Sequence, residues 1–160
     1  MAGQVIWITG LSGAGKTTLA RELIQRLQEC ESQPILLDGD ILRNLLQVSE
    51  NVLDSHSRKA RIKLALKYAQ MCRLLSDQGF IVVIATISMF DELYAWNREN
   101  ITNYFEVYLK VPLDELCRRD PKSIYKRYKN LELLSEGYWG FSKTGILIIT
   151  NGNRKNRWRI

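Results

Sequence analysis

The chain has 160 residues, a hydrophobic content of 46% and a net charge of +6, which suits one compact domain with a real core. No run approaches the roughly 18 consecutive apolar residues that a membrane-spanning helix needs, which argues against an integral membrane protein. The first ten residues carry no basic region before their apolar run, so we expect no secretory signal peptide and a cytoplasmic location.

Positive charge is concentrated late in the chain. The segment 117–130 has six cations and one acid, and the segment 151–160 has four cations and no acid. A basic surface attracts anions, which include nucleic acids, nucleotides and membrane phosphates. Charge alone does not choose among these partners.

The three cysteines are too far apart in sequence to suggest a common site. Cys30, Cys72 and Cys117 are odd in number and form no C-x-x-C pair, which argues against a zinc site and a disulfide framework. We expect reduced thiols packed in or beside helices, because free cysteine is among the more buried residue types.

Short apolar runs predict the strands of a sheet. The run 80–87 is continuously apolar and β-branched, as expected for a central parallel strand that is covered on both faces. The predicted strands are 4–10, 34–38, 80–87, 105–111 and 145–150.

Longer stretches with helical spacing separate these strands. The predicted helices are 15–30, a short helix from about Ile41, about 57–77, 91–100, and one from Pro112. Gly79 is the expected C-terminal cap of the longest helix. Strands that alternate with helices predict a single α/β domain, a three-layer αβα sandwich with a mostly parallel sheet of about five strands.

A glycine-rich segment follows the first predicted strand. GLSGAGKT fits G-x-x-x-x-G-K-[ST] at every fixed position, and its glycines let backbone N–H groups face phosphate oxygens at a helix N-terminus. Lys16 would neutralise the β- and γ-phosphates, the Thr17 hydroxyl would bind Mg²⁺, and Thr18 would reach the α-phosphate. The segment therefore predicts a nucleoside triphosphate site formed by Gly10, Leu11, Ser12, Gly13, Ala14, Gly15, Lys16, Thr17 and Thr18.

The position of the acids indicates which class of triphosphate-binding protein this is. The chain has no N-K-x-D guanine motif, and the central run IVVIATIS ends without the acid that an ATPase motor usually has there. Asp38 and Asp40 instead follow the second strand, across the crevice of the sheet from the phosphate loop. This arrangement favours phosphoryl transfer to a small molecule.

Four segments together resemble the adenylylsulfate kinase (APS kinase) family: GLSGAGKTT, LLDGDILR, ISM after the central strand, and RDPKSIYKR. The resemblance runs from about Val5 to Arg127. It implies a P-loop kinase that uses ATP and Mg²⁺ to phosphorylate the ribose 3′-hydroxyl of adenosine 5′-phosphosulfate, as in sulfate assimilation. Family members are usually cytoplasmic dimers, so it also implies a homodimer with a small-molecule nucleotide acceptor, and neither a membrane nor a nucleic-acid partner.

The resemblance also implies roles for individual residues. Asp38 matches a family aspartate and would act with Lys16 in catalysis, by organising Mg²⁺ and accepting the hydroxyl proton. Ser88 matches a serine that is sometimes given a phospho-intermediate role, although direct transfer is more economical. Arg119 matches an arginine near ATP in a lid that spans about 118–142.

Several residues match acceptor-binding positions of the family. Arg43 and Arg58 would hold the anionic group of the acceptor, because guanidinium groups bind such groups bidentately. The full set implied by the resemblance is Asp40, Arg43, Arg58, Ile87, Ser88 and Lys122.

The chain departs from the family pattern on the acceptor side. Where the family has D-R-x-E-N, Ser57 replaces the aspartate and Arg61 the asparagine. In the I-S-P-[YF]-R segment, Met89 replaces the proline and Asp91 the arginine, and residues 130–141 contain no K-G-F-T-G counterpart. Because contacts to the acceptor set specificity, these changes point to an altered acceptor.

Two alternative functions stay open at this point. One is a kinase of the kind found in capsule clusters, which phosphorylates a cytidine nucleotide carrying a phosphoramidate. The other is a nucleotide-binding module without efficient catalysis, held on nucleic acid by its basic end.

Plainer interpretations of single residues also stay open. The D-G-D segment 38–40 could be only a turn, and Arg58 and Arg61 could form a solvated helix face. Ser88 could cap the next helix, and Phe90 could either pack or form an apolar wall for a nucleobase.

Overall fold

The computed structural model describes residues 3–30, 32–46, 57–120, 123 and 125, together with the backbone of 145–150. Its elements, in chain order, are β1 (Gln4–Gly10), α1 (Lys16–Glu29), β2 (Ile35–Asp38), α2 (Gly39–Leu45), α3 (Arg58–Asp77), β3 (Ile81–Thr86), α4 (Asp91–Asn100), β4 (Tyr104–Lys110), α5 (Leu113–Arg119) and β5 (Gly145–Thr150).

The strands form one sheet in the order β2-β3-β1-β4-β5. The first four in this order are parallel, and β5 pairs antiparallel with β4. The predicted mostly parallel sheet is therefore confirmed. The reversed direction of β5 was not foreseen, because an apolar run predicts a strand without indicating its direction.

Helices cover both faces of the sheet and complete the predicted three layers. Neighbouring residues of a strand point to opposite faces, so Trp7 packs with α3 and α4 while Ile8 packs with α1 and α5. Both residues have no exposed surface. The carboxyl ends of β1, β2 and β3 consequently meet at one edge, where the predicted site residues lie.

Two helix ends show how the sequence sets the boundaries. Helix α2 begins at Gly39, two residues before the predicted start, because the Asp38 side chain caps it by accepting a hydrogen bond from the backbone N–H of Asp40. The D-G-D segment is thus a strand–helix junction and not only a turn. Helix α3 ends as predicted, with Gly79 at a φ of 92° and hydrogen bonds from Gly79 N–H to Ser76 and from Phe80 N–H to Leu75.

The cysteines are free, but their burial differs from the prediction. Cys72 is buried in α3, whereas Cys30 and Cys117 are exposed. All three lie in or beside helices as predicted, but the expected burial was wrong for Cys30, the C-cap residue of α1, and for Cys117 in α5. Among the described residues, no helix has the length and apolar character needed to cross a membrane.

Candidate active site

The phosphate loop has the conformation that the glycine pattern predicts. Gly10, Gly13 and Gly15 have φ values of 150°, 78° and 93°. Gly15 lies in the left-handed region at the N-cap of α1, and the space where a Cβ would stand is open. A phosphate group can therefore approach the backbone N–H groups at the start of α1.

Two polar contacts link this loop to the end of β2. The Lys16 ammonium group donates to the Leu11 carbonyl at 2.8 Å. The Thr17 hydroxyl donates to Asp38 Oδ2 at 3.0 Å, while Asp38 Oδ1 accepts the helix-capping bond from Asp40 at 2.9 Å. The Asp38 carboxylate is thus fixed between the loop and α2.

The Thr17 hydroxyl and the Asp38 carboxylate together suit a magnesium ion. Mg²⁺ prefers hard oxygen ligands and is usually held by one or two carboxylates together with waters and substrate phosphates. In the described part of the chain, no three His, Cys, Asp or Glu side chains form a cluster able to hold a metal alone. The hydroxyl of Thr17 and the carboxylate of Asp38 therefore fit Mg²⁺ as part of a metal–nucleotide complex.

A cavity of about 250 Å³ opens at this edge of the sheet. On its donor side it is lined by Ser12, Gly13, Gly15, Lys16, Thr17 and Thr18. On the opposite side it is lined by five more of the predicted residues: Asp38, Asp40, Arg43, Ile87 and Ser88. The cavity therefore brings together members of both the predicted donor set and the predicted acceptor set.

Other predicted residues lie outside the cavity lining. Gly10, Leu11 and Ala14 belong to the loop but do not line the cavity, and Lys122 is not among the described residues. Most of the predicted lid, 118–142, also lies outside the described part of the chain.

Arg119 lies beside the phosphate loop. Its guanidinium donates to the Gly13 carbonyl at 3.3 Å and to the Glu115 carboxylate at 2.5 Å. Hydrogen bonds from Arg118 and Arg119 hold the pKa of Glu115 at about 2, so this carboxylate stays charged at neutral pH. Glu115 thereby keeps Arg119 over the loop.

Ser88 lies in the cavity and does not cap the next helix. The N-cap residue of α4 is Phe90, which has no side-chain capping bond. The Ser88 hydroxyl instead lies 3.0 Å from the Thr86 hydroxyl, and either can donate. The capping interpretation of Ser88 is therefore wrong.

Helix α3 contributes a wall of the cavity that the sequence analysis largely missed. Arg61, Leu64, Ala65 and Tyr68 line it. The Tyr68 hydroxyl donates to the Gly39 carbonyl at 3.3 Å, and burial raises the pKa of Tyr68. These four residues have the spacing i, i+3, i+4 and i+7 of a single helix face, which was the signal available in the sequence.

Tyr125 was also missed, although it lies in the RDPKSIYKR segment. Its hydroxyl donates to the Ser12 carbonyl of the phosphate loop at 2.9 Å, and its backbone N–H donates to Asp120 Oδ1 at 3.1 Å. Burial raises the pKa of Tyr125 to about 12, so the hydroxyl stays protonated and remains a donor at neutral pH. Tyr125 thus ties the segment after α5 to the loop.

Known proteins resemble the chain in sequence. Residues 2–140 match the family model described as adenylylsulphate kinase. The cytidine diphosphoramidate kinase of Campylobacter jejuni subsp. jejuni serotype O:2 is 41% identical over 129 residues, which are 81% of this chain and 73% of that protein. The adenylyl-sulfate kinase of Pseudomonas aeruginosa is 40% identical over 128 residues, which are 79% of this chain and 63% of that protein.

A solved structure agrees with these matches. The Mycobacterium tuberculosis APS kinase in complex with AMPPNP and APS has 33% identity and a TM-score of 0.70, over 80% of this chain and 74% of that one. The chain spans less than two thirds of the Pseudomonas protein, but the family model covers most of the chain itself. The chain belongs to the adenylylsulphate kinase family.

Proposed function

We propose that this protein transfers the γ-phosphoryl group of ATP to the ribose 3′-hydroxyl of a nucleotide that carries an anionic group on its 5′ side. The observation that carries the proposal is the single cavity shared by Lys16, Asp38 and Arg43. It places a triphosphate loop, a carboxylate and a cation for the acceptor within one space. Phosphoryl transfer asks mainly for such positioning and for charge neutralisation.

Cytidine diphosphoramidate is the acceptor that we favour, and adenylyl sulfate is the second candidate. The Campylobacter relative carries the first name and the Pseudomonas relative the second, at nearly equal identity. The feature that favours the first is Arg61, which lines the cavity where the APS kinase pattern has an asparagine. A pocket that has changed its charge is expected to have changed its acceptor.

In this proposal the donor side neutralises and positions the triphosphate. Lys16 leaves the Leu11 carbonyl and binds the β- and γ-phosphates, while the loop N–H groups hold their oxygens. The Mg²⁺ ion, held by Thr17 and Asp38, would supply further neutralisation of the phosphate charge. Arg119 contributes a second cation from above the loop.

On the acceptor side, Asp38 is the proton acceptor, in addition to its role in holding Mg²⁺. Its carboxylate faces the donor loop and can accept the proton of the attacking hydroxyl. Ser88 and Ile87 line the cavity close to the end of β3 and position the ribose. Direct transfer needs no covalent intermediate on Ser88, whose hydroxyl is paired with Thr86.

An acceptor screen by ADP release tests this function. Purified protein with ATP and Mg²⁺ is expected to release ADP only when an acceptor is added, with cytidine diphosphoramidate turned over more efficiently than adenylyl sulfate. The Lys16→Ala variant serves as the blank. Adenylyl sulfate turned over with a low KM and a higher kcat/KM would reverse our order of acceptors.

The same screen separates the kinase from a non-catalytic binding module. A module would bind ATP, release no acceptor-dependent ADP with any nucleotide, and bind RNA or DNA in a salt-sensitive manner. That combination would overturn the proposed function.

Tyr125→Phe is expected to raise the KM for ATP by about fivefold or more, because it leaves the buried Ser12 carbonyl without its donor. The same variant should change the KM for the acceptor less, since Tyr125 contacts the loop and is not among the residues that line the cavity. Steady-state kinetics with each substrate varied in turn measures both. An equal rise in the two KM values would contradict the assignment of Tyr125 to the loop.

A further inference from the structure

Two arginines of α3 lie close together but in different surroundings. Arg58 and Arg61 are one helical turn apart, and their guanidinium carbons stand 5.8 Å and 5.6 Å from the centre of the Phe90 ring. Either could hold an anionic acceptor group on charge alone. Their other contacts distinguish them.

Arg58 is already paired with an acid. Its guanidinium donates to both oxygens of Glu92 at 2.8 Å and 3.1 Å, and its side chain is 65% exposed. Glu92 lies in the first turn of α4, where a backbone hydrogen bond, followed by the bond from Arg58, lowers its pKa. The carboxylate therefore stays charged at neutral pH and draws Arg58 outward, and Arg58 does not line the cavity.

Arg61 is exposed as well, but it lines the cavity together with Arg43. Within the residues that the structure describes, none of the ion pairs includes Arg43 or Arg61. A hydrogen bond joins Arg43 to the Tyr68 side chain, and Arg61 stands over the Phe90 ring, so neither is held in an ion pair as Arg58 is.

We propose that Arg61, together with Arg43, binds the anionic 5′ group of the acceptor, and that Arg58 does not. This inference rests on the proposed function, since it assigns the acceptor end of the same cavity. It changes the expectation from the family resemblance, which gave that role to Arg43 and Arg58, by replacing Arg58 with Arg61. The ring of Phe90 beside Arg61 acts as a support that limits the orientations of its guanidinium.

The chemical class of the acceptor follows from this pair. Two planar guanidinium groups offer bidentate hydrogen bonds to phosphate or sulfonate oxygens, which an asparagine in place of Arg61 would not offer. An acceptor with two linked anionic groups, such as a nucleoside 5′-diphosphate derivative, can use both arginines at once. A neutral nucleoside can use neither.

Single substitutions separate the two arginines. Arg61→Gln is expected to raise the KM for the acceptor by about 10- to 100-fold, because a hydrogen-bonded charge is lost, and to leave the KM for ATP within about threefold. Arg58→Gln is expected to raise the acceptor KM by less than about threefold, since an exposed ion pair contributes little. Lys63→Gln, which removes an exposed cation of α3 that does not line the cavity, is the matched control.

A binding measurement keeps the test independent of turnover. Cytidine and cytidine 5′-diphosphate are titrated into the full-length protein loaded with a non-hydrolysable ATP analogue. Arg61→Gln should raise the Kd for the diphosphate by about tenfold or more and the Kd for the nucleoside by less than threefold. A larger loss in Arg58→Gln than in Arg61→Gln, or an equal loss for nucleoside and diphosphate, would overturn the inference.

Failure of the proposed kinase function and failure of the Arg61 assignment give different results. If the unsubstituted protein turns over no acceptor but binds the diphosphate through Arg61, the proposed kinase function fails while the anion site stands. If acceptors are turned over with the same KM in Arg61→Gln as in the unsubstituted protein, the function stands and the role of Arg61 fails.

Discussion

Lys16→Ala is expected to lower kcat for acceptor phosphorylation by about 10²- to 10³-fold, the usual cost of removing one preorganised group that stabilises developing charge. Lys16 opens α1 at the cavity, and its ammonium group is held by the Leu11 carbonyl at 2.8 Å. Transfer of a phosphoryl group depends mostly on such neutralisation, and alanine supplies none. Initial rates of ADP release at saturating ATP and acceptor measure the effect.

The comparison for Lys16→Ala is Lys59→Ala, which removes an exposed lysine of α3 that does not line the cavity. Circular dichroism and a thermal unfolding curve for each variant show whether the fold is retained. We expect Lys59→Ala to keep the full rate. A folded Lys16→Ala protein that retained more than a tenth of the rate would contradict the role given to Lys16.

The donor half of the site was predictable because its geometry is local. The glycines, Lys16 and Thr17 lie within one short segment, and the preceding strand and following helix fix their directions. Asp38 was also placed correctly beside the loop, because the carboxyl ends of neighbouring parallel strands meet at one edge. The fold and the family could be predicted for the same reason, since both follow from the order of short segments.

The acceptor half was less predictable because it depends on contacts between distant elements. The sequence does not show that Glu92 of α4 pairs with Arg58 of α3, nor that Arg61 lines the cavity while Arg58 does not. It also does not show which face of α3 turns toward the cavity. The only signal for that face was the i, i+3, i+4, i+7 spacing that ends at Tyr68, and the apolar residues with this spacing resemble ordinary core residues.

The same limit explains why Tyr125 was not predicted and why the contact partner of Arg119, which was predicted to lie near ATP, was not. Their hydrogen bonds to Ser12 and Gly13 join residues more than a hundred positions apart in the chain. The family motif identified the RDPKSIYKR segment but did not reveal that a tyrosine within it supports the phosphate loop. Assigning such supports requires the folded backbone, because each side chain donates to a main-chain carbonyl, a group that every residue has.

Asp38→Asn is the second substitution with a large expected effect, because it removes charge while keeping shape. We expect kcat to fall by about 10²-fold or more, the usual contribution of a positioned acid or base. The amide oxygen of asparagine can still accept the capping bond from Asp40, so the free energy of unfolding should change by less than about 1 kcal/mol. The carboxylate oxygen that faces Thr17 is lost.

A further measurement on this variant tests the role of Asp38 in holding Mg²⁺. If Asp38 holds the ion, the Mg²⁺ concentration for half-maximal rate should rise. Asp40→Asn is the comparison: it removes a neighbouring carboxylate that lines the acceptor side and should raise the acceptor KM without changing the Mg²⁺ dependence. If the rate of Asp38→Asn stayed within threefold of that of the unsubstituted protein, the carboxylate would serve only as the helix cap. In that case Asp38→Ala, which removes the cap as well, would lower the free energy of unfolding by only about 1 kcal/mol.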